Sequence, residues 1–265
     1  MCPFDLIGYA EATPGTGEVL IAAALADSLY KHVLDDNMII KGREWLLGAY
    51  FAALTTGESG FISQPSLHLD YQFLSVQGMG AAVAAMAGYT HMFGRPLRMV
   101  GGEKCNVKIQ NASDEDALVG LLLGSGKISQ SKLDAVNPTH RIRGSADQTL
   151  TARAWTNVAI TWDQDLPEGE YAVVGMKYGY YKGTIAMPAM ARILLPGKTS
   201  WRPGVPGNWL GGDKLQFETL AYHKFEHWPL MREISFLHSN MPDIEALSPE
   251  ATTDHVVELL LQKIG

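Results

Sequence analysis

One strand-and-turn unit is written twice in this chain, and no other feature limits its fold as much. The first copy is Lys41-Gly42-Arg43-Glu44-Trp45-Leu46-Leu47-Gly48-Ala49-Tyr50-Phe51. The second runs Pro167-Glu168-Gly169-Glu170-Tyr171-Ala172-Val173-Val174-Gly175-Met176-Lys177-Tyr178. Gly42 falls on Gly169, Leu46-Leu47 on Val173-Val174 and Gly48 on Gly175, an offset of 127. Gly60, Ile62 and Pro65 return as Gly183, Ile185 and Pro188 at an offset of 123, and Asp116 to Leu123 returns as Asp254 to Leu261 at 138. Echoes kept in the same order point to two copies of one β-rich unit, because repeated units leave self-similarity in sequence.

The residues between the echoes read mostly as short strands. Leu67 to Phe73 and Cys105 to Gln110 alternate apolar and polar, the pattern of a half-buried strand. Met38 to Ile40, Trp45 to Leu54, Phe61-Ile62, Leu97 to Val100 and the apolar run Leu118 to Leu123 complete the first set. Thr149 to Trp155, Val158 to Trp162, Tyr171 to Tyr181, Ala189 to Leu195, Phe217 to Phe225, Ile234 to His238 and His255 to Leu261 form the second. Residues 1–16, rich in Gly, Pro and Thr, read as an arm or loop. Val19, Ala23, Ala26, Tyr30 and Val33 offer a helical face, with a strand as the alternative for Val19–Ala24, and Gly78 to Met92 a short connecting helix. The polar stretch Gly124 to His140 is the expected boundary, dividing the chain into 1–137 and 138–265. About eight strands per half, without helical crossovers between them, predict an all-β protein of two tandem antiparallel jelly-roll barrels with short helices in the N-terminal region and connections.

Composition narrows the function. The net charge of -7 is spread over both halves, so neither is the basic body a nucleic-acid binder needs to neutralise phosphates. Cys2 and Cys105 form no disulfide framework and no CxxC site, which fits a reducing compartment. The N-terminus lacks the basic and apolar regions of a signal peptide, and the longest aliphatic runs fall short of the ~20 residues of a membrane span.

Candidate sites are few. His223-Lys224-Phe225-Glu226-His227 is an H-x-x-E-H pattern, which on a helix would hold zinc and a general base. Its flanks read as strand, which separates the helical geometry, and no third ligand is marked by spacing, so no metal and no cofactor is expected. His32, His68, His91 and His140 provide no cupin-type pair, and no G-x-S-x-G elbow, P-loop or dinucleotide glycine pattern is present. The loop Trp201-Arg202-Pro203-Gly204-Val205-Pro206-Gly207-Asn208-Trp209 differs. Tryptophan and arginine are enriched at interface hot spots and the prolines stiffen the loop, which makes Trp201, Arg202 and Trp209 candidate subunit-interface residues.

With its paired units Gly42 to Phe51 and Gly169 to Tyr180, the Pro65 and Pro188 continuations and the loop at 201–209, the chain resembles the double jelly-roll major capsid proteins of the tectivirus–adenovirus lineage. The resemblance is architectural and covers most of the chain. It implies a non-enzymatic structural protein of an icosahedral virion, made in the host cytoplasm, whose homotrimers form pseudo-hexagonal capsomers. It further implies contacts with neighbouring capsomers, with a vertex or minor capsid protein and with an internal membrane, but no specific nucleic acid. A carbohydrate- or receptor-binding β-sandwich is the alternative, and a zinc hydrolase built on His223 and His227 is a further one.

Overall fold

The structure, a computed structural model, describes residues 4–24, 32–33, 37–40, 44–53, 57–66, 71–73, 77–78, 90–91, 97–111, 114, 116–125, 139–181, 188–197, 202–209, 223–224 and 234–265. Among these residues every regular element is a strand. The first half carries β1 (Phe4–Glu11), β2 (Gly17–Leu20), β3 (His32–Val33), β4 (Asn37–Ile39), β5 (Glu44–Ala53), β6 (Gly57–Ser63), β7 (Tyr71–Phe73), β8 (Gln77–Gly78), β9 (Thr90–His91), β10 (Leu97–Arg98), β11 (Lys104–Asn111) and β12 (Ala117–Ser125). The second half carries β13 (His140–Ala146), β14 (Thr156–Val158), β15 (Thr161–Trp162), β16 (Glu170–Tyr181), β17 (Met190–Leu194), β18 (Gly204–Pro206), β19 (Asn208–Trp209), β20 (His223–Lys224), β21 (Ser235–Leu237), β22 (Asp243–Leu247) and β23 (Thr253–Lys263).

These strands form four sheets. In the first half β1-β12-β5-β10 is one sheet, with β8 and β9 added to β5. The other is β3-β4-β11-β6-β7, with β2 added to β11. In the second half β15-β13-β23-β16-β19 is one sheet, with β20 and β21 added to β16, and β14-β22-β17-β18 is the other. The two long central pairs share a detail. Leu46 faces Leu123 and Gly48 faces Leu122, so Leu47 is an extra residue in β5. Val173 faces Leu261 and Gly175 faces Leu260, so Val174 is an extra residue in β16. Such a bulge adds one residue to one strand and sharpens the local twist.

Several expectations change. Residues 4–11 are no arm: all of β1 pairs antiparallel with β12, and Leu6, Ile7, Tyr9 and Ala10 are buried. The glycine, proline and threonine content that suggested an arm belongs mainly to the turn that follows. The helix over 19–33 is replaced, where the chain is described, by β2 and β3. Val19, Ile21 and Ala23 fit a two-residue period as well as a helical one, and all three pack into the first core, with Ile21 N–H donating to the Val107 carbonyl. Pairing with β11 outweighs alanine's weak helical preference. The helix expected over 78–92 starts and ends in β8 and β9, both paired with β5, and its interior lies outside the described residues. Thr149 to Trp155 is a turn rather than a strand, and Val158 to Trp162 breaks into β14 and β15, which join different sheets.

Burial follows the alternation of side chains across each strand. β11 buries Cys105, Val107, Ile109 and Asn111 and turns Lys104, Asn106, Lys108 and Gln110 outward. Ile7, Tyr9, Phe51, Ile62, Val119 and Leu121 join the first core. Val173, Met176, Tyr178, Ile193, Ile244, Val257 and Leu259 build the second. β12 and β16 are buried on both faces, which explains why they read as unbroken apolar runs.

Candidate functional site

The second face of β12 leads to the polar centre of the molecule. Leu6 and Ala10 of β1, Tyr50 and Ala52 of β5, and Leu118 of β12 point away from the first core. They pack against Trp155, Met190 and Leu247 of the second half. Gly8 and Gly120 face each other across β1 and β12. A Cβ at Gly8 would meet Leu247, the Met190 Cε at 2.6 Å and Trp155 Cζ2 at 3.1 Å, and one at Gly120 the Met190 sulfur at 2.9 Å. The glycines are what let the two halves come this close.

Charges sit along the same seam. Arg192 interrupts the apolar strand Met190–Leu194, and on that strand the odd-side residues Ala191 and Ile193 enter the second core. Arg192 therefore faces the first half, fully buried. Its Nε donates to Glu245 Oε2 at 2.6 Å, its Nη1 donates to the Leu6 carbonyl at 3.0 Å, and its Cζ lies 3.9 Å over the Trp155 ring. Arg202 forms a fork on Asp5: Nε to Oδ1 at 2.8 Å and Nη2 to Oδ2 at 2.6 Å, both residues buried. The Leu6 N–H donates to the Arg202 carbonyl, so main chain and side chain tie the same two segments. Asp5 Oδ1 also lies 4.0 Å from Arg192 Nη1. Two cations and two carboxylates thus share one water-poor seam, the geometry in which bidentate guanidinium–carboxylate pairs are strongest. Nearer the surface, Arg153 donates to the Ala10 carbonyl and to Glu11.

The other ionic cluster lies in the second half. Glu258, fully buried on β23, is paired with Arg141 Nη2 of β13 at 2.5 Å and Lys177 Nζ of β16 at 3.8 Å. On the opposite, core-facing side of β23, His255 is stacked on Tyr178. Its Nε2 is 2.8 Å from the Gln148 carbonyl, which can only accept, so Nε2 carries the proton and Nδ1 accepts from the Tyr178 hydroxyl at 2.8 Å. Burial lowers the His255 pKa from its ordinary value and keeps the ring neutral.

The residues singled out in sequence are distributed as follows. Arg202 is directed into the chain's own seam, where Asp5 engages both edges of its guanidinium. Trp201 lies outside the described residues, and of Trp209 the structure describes the backbone, paired parallel with Tyr180. His223 and Lys224 form β20 against Met176 and Gly175 of β16. The helix that the zinc reading requires is therefore not present at His223, and 225–227 lie outside the described residues. Tyr178 and Tyr180, which with Tyr181 make a tyrosine group open in sequence to cross-strand pairing or to an interface, are stacked within the second core with ring centroids 5.7 Å apart. Asp5, Arg192 and Glu245 were not marked by any motif. The available signal was a lone charge inside an otherwise apolar strand, as in Met190-Ala191-Arg192-Ile193-Leu194, which must find a counter-charge when both faces are buried. Neither a family model nor a curated protein sequence matches this chain.

Proposed function

We propose that this chain is a structural major capsid protein built as two tandem jelly-roll barrels, 1–137 and 138–265, three copies of which form a pseudo-hexagonal capsomer of an icosahedral shell. The strand orders support the duplication. β1-β12-β5-β10 opposite β2-β11-β6-β7 has the same connectivity as β13-β23-β16-β21 opposite β14-β22-β17-β18. Eight strands in two such sheets are the content of a jelly roll.

The observation that carries the reading is the shared bulge. The offset of 127 takes Leu47 to Val174, and the offset of 138 takes the facing pair Leu122-Leu123 to Leu260-Leu261. Echo and register thus agree at single-residue resolution, and bulges are kept within families as built features. The seam supports the structural role. Its charges engage one another, so they join the halves into a stiff block suited to a shell. A closed symmetric oligomer is the usual way such blocks assemble.

The test is the size and shape of the purified protein. Sedimentation and negative-stain images are expected to give trimers with six-lobed outlines that tile in sheets. A chain that stays monomeric at every concentration, alone and with co-expressed virion proteins, would remove the capsid function.

A further inference from the structure

On β23, Val257, Leu259 and Leu261 enter the second core, so Val256 and Glu258 point to the opposite face of the strand. On β16, Met176 and Tyr178 enter the same core, so Lys177 points to that opposite face too. The register sets Lys177 directly across from Glu258. The face is dry around them: Glu258 is 0%, Val256 1% and Lys177 3% exposed. Lys177 Nζ lies 3.8 Å from Glu258 Oε1, and Arg141 Nη2 lies 2.5 Å from Oε2.

These groups are poorly compensated as ions. A buried ion pair offsets its desolvation only when hydrogen bonds engage the charged atoms. Neither Glu258 oxygen meets a donor in hydrogen-bonding geometry. The seam differs: Arg202 grips Asp5 with two hydrogen bonds, and a guanidinium does not give up its proton. Lys108 and Glu18 differ as well. They are hydrogen-bonded at 2.7 Å, and their side chains are 30% and 44% exposed, so water competes for both. At Lys177 a nitrogen able to act as a nucleophile is held beside a carboxyl carbon, away from water.

We propose that Lys177 and Glu258 are joined by an isopeptide bond formed after folding. Within the ion pair one proton passes from Nζ to Oε1, leaving an amine and a carboxylic acid. The amine attacks Glu258 Cδ, and the charge that develops on Oε2 lies against the Arg141 guanidinium. The Cδ–Oε1 bond then breaks, and Oε1 leaves as water with a second proton from Nζ. One N–C bond replaces one C–O bond, both charges are removed, and neither oxidant nor cofactor enters. Condensation is unfavourable between free partners in water. Fixed neighbours, however, react with effective molarities of roughly 10⁵–10⁸ M, and a closed site keeps water from reversing the step. The bond ties β16 to β23, neighbours in the larger sheet of the second half, and constrains the unfolded chain as a disulfide does. It goes beyond the capsid reading and does not depend on it.

Mass spectrometry of the purified full chain tests it. Wild type is expected to weigh one water less than its sequence requires, and Lys177→Arg to carry its full mass. Trypsin, which does not cleave after an acylated lysine, is expected to release from wild type one branched peptide joining 177 to 258. The variant is expected to yield linear peptides only. Should the variant fail to fold, the wild-type peptide map decides by itself. Linear wild-type peptides around both residues, with cleavage after Lys177, overturn the bond. A branch from Lys177 to another carboxyl, or a loss of water without the branched peptide, overturns the pair assigned here. Each of these results leaves the capsid reading to its own test of assembly.

Discussion

At the scale of single residues, the seam depends on charges that are stable only in company. Asp5 and Arg202 are buried as a two-bond pair, so removing one partner leaves the other desolvated. Arg202→Ala is expected to cost about 3–5 kcal/mol, whereas replacing both by leucine should cost less, since an apolar pair needs no partner. Urea unfolding of the two variants measures the difference, and equal losses would mean that the pair's charges are not what matters. His255 makes a pH-dependent contribution. Its pKa in the fold is lowered by burial, so below about 6.5 the unfolded chain takes up a proton that the folded ring resists. The stability it confers is complete above that pH and declines as the solution is acidified through it. Unfolding free energies at pH 7.5 and 5.5 should therefore fall more steeply for wild type than for His255→Gln. A variant with the same slope would show that His255 titrates alike in both states.

At the scale of elements, the decisive positions are those where backbones approach. A Cβ on Gly204 of β18 would meet the Ala191 carbonyl oxygen and the Arg192 Cα at 2.8 Å, both main-chain atoms of β17. A Cβ on Gly8 would meet side-chain atoms, two of them at the flexible ends of Met190 and Leu247. Gly204→Ala should therefore destabilise by more than the 1–3 kcal/mol typical of overpacking, and Gly8→Ala by about that amount. Calorimetry that ranks them the other way would mean that the seam, not β18, is the stiffer part. The same elements show where the sequence was readable. β5, β11, β12, β16 and β23 were legible because length and alternation both favour strands. β1 was not, because its neighbours in sequence are turn residues. The 19–24 segment was ambiguous because short apolar runs satisfy two periods at once.

At the scale of the whole molecule, the two cores are joined by a surface that neither half can leave bare. Leu6, Ala10, Tyr50 and Leu118 are buried by Trp155, Met190 and Leu247. A fragment of residues 1–137 made alone would expose that face, together with the uncompensated carboxylate of Asp5. It is expected to bind hydrophobic dyes and aggregate, and to become soluble when co-expressed with 138–265. A fragment that is soluble, dye-silent and cooperatively folded by itself would show that the halves are autonomous units merely tethered together.

What the sequence determined by itself was the all-β character and the inner periodicity of the long strands, since both depend on side chains a few residues apart. The echoes at 127 and 138 fall on β5 with β16 and on β12 with β23, the two strand pairs that each carry a one-residue bulge. Of the echo at 123, Gly183 and Ile185 lie outside the described residues; Pro65 follows β6, and Pro188 precedes β17. Only the tertiary structure decided that residues 4–11 form a central strand, that Arg202 turns inward to Asp5, and that Arg192 meets Glu245 and Trp155. Those contacts join positions up to 197 residues apart. Local pattern shows that a charge in an apolar strand needs a partner, but only the packing of one sheet on another selects which partner it finds.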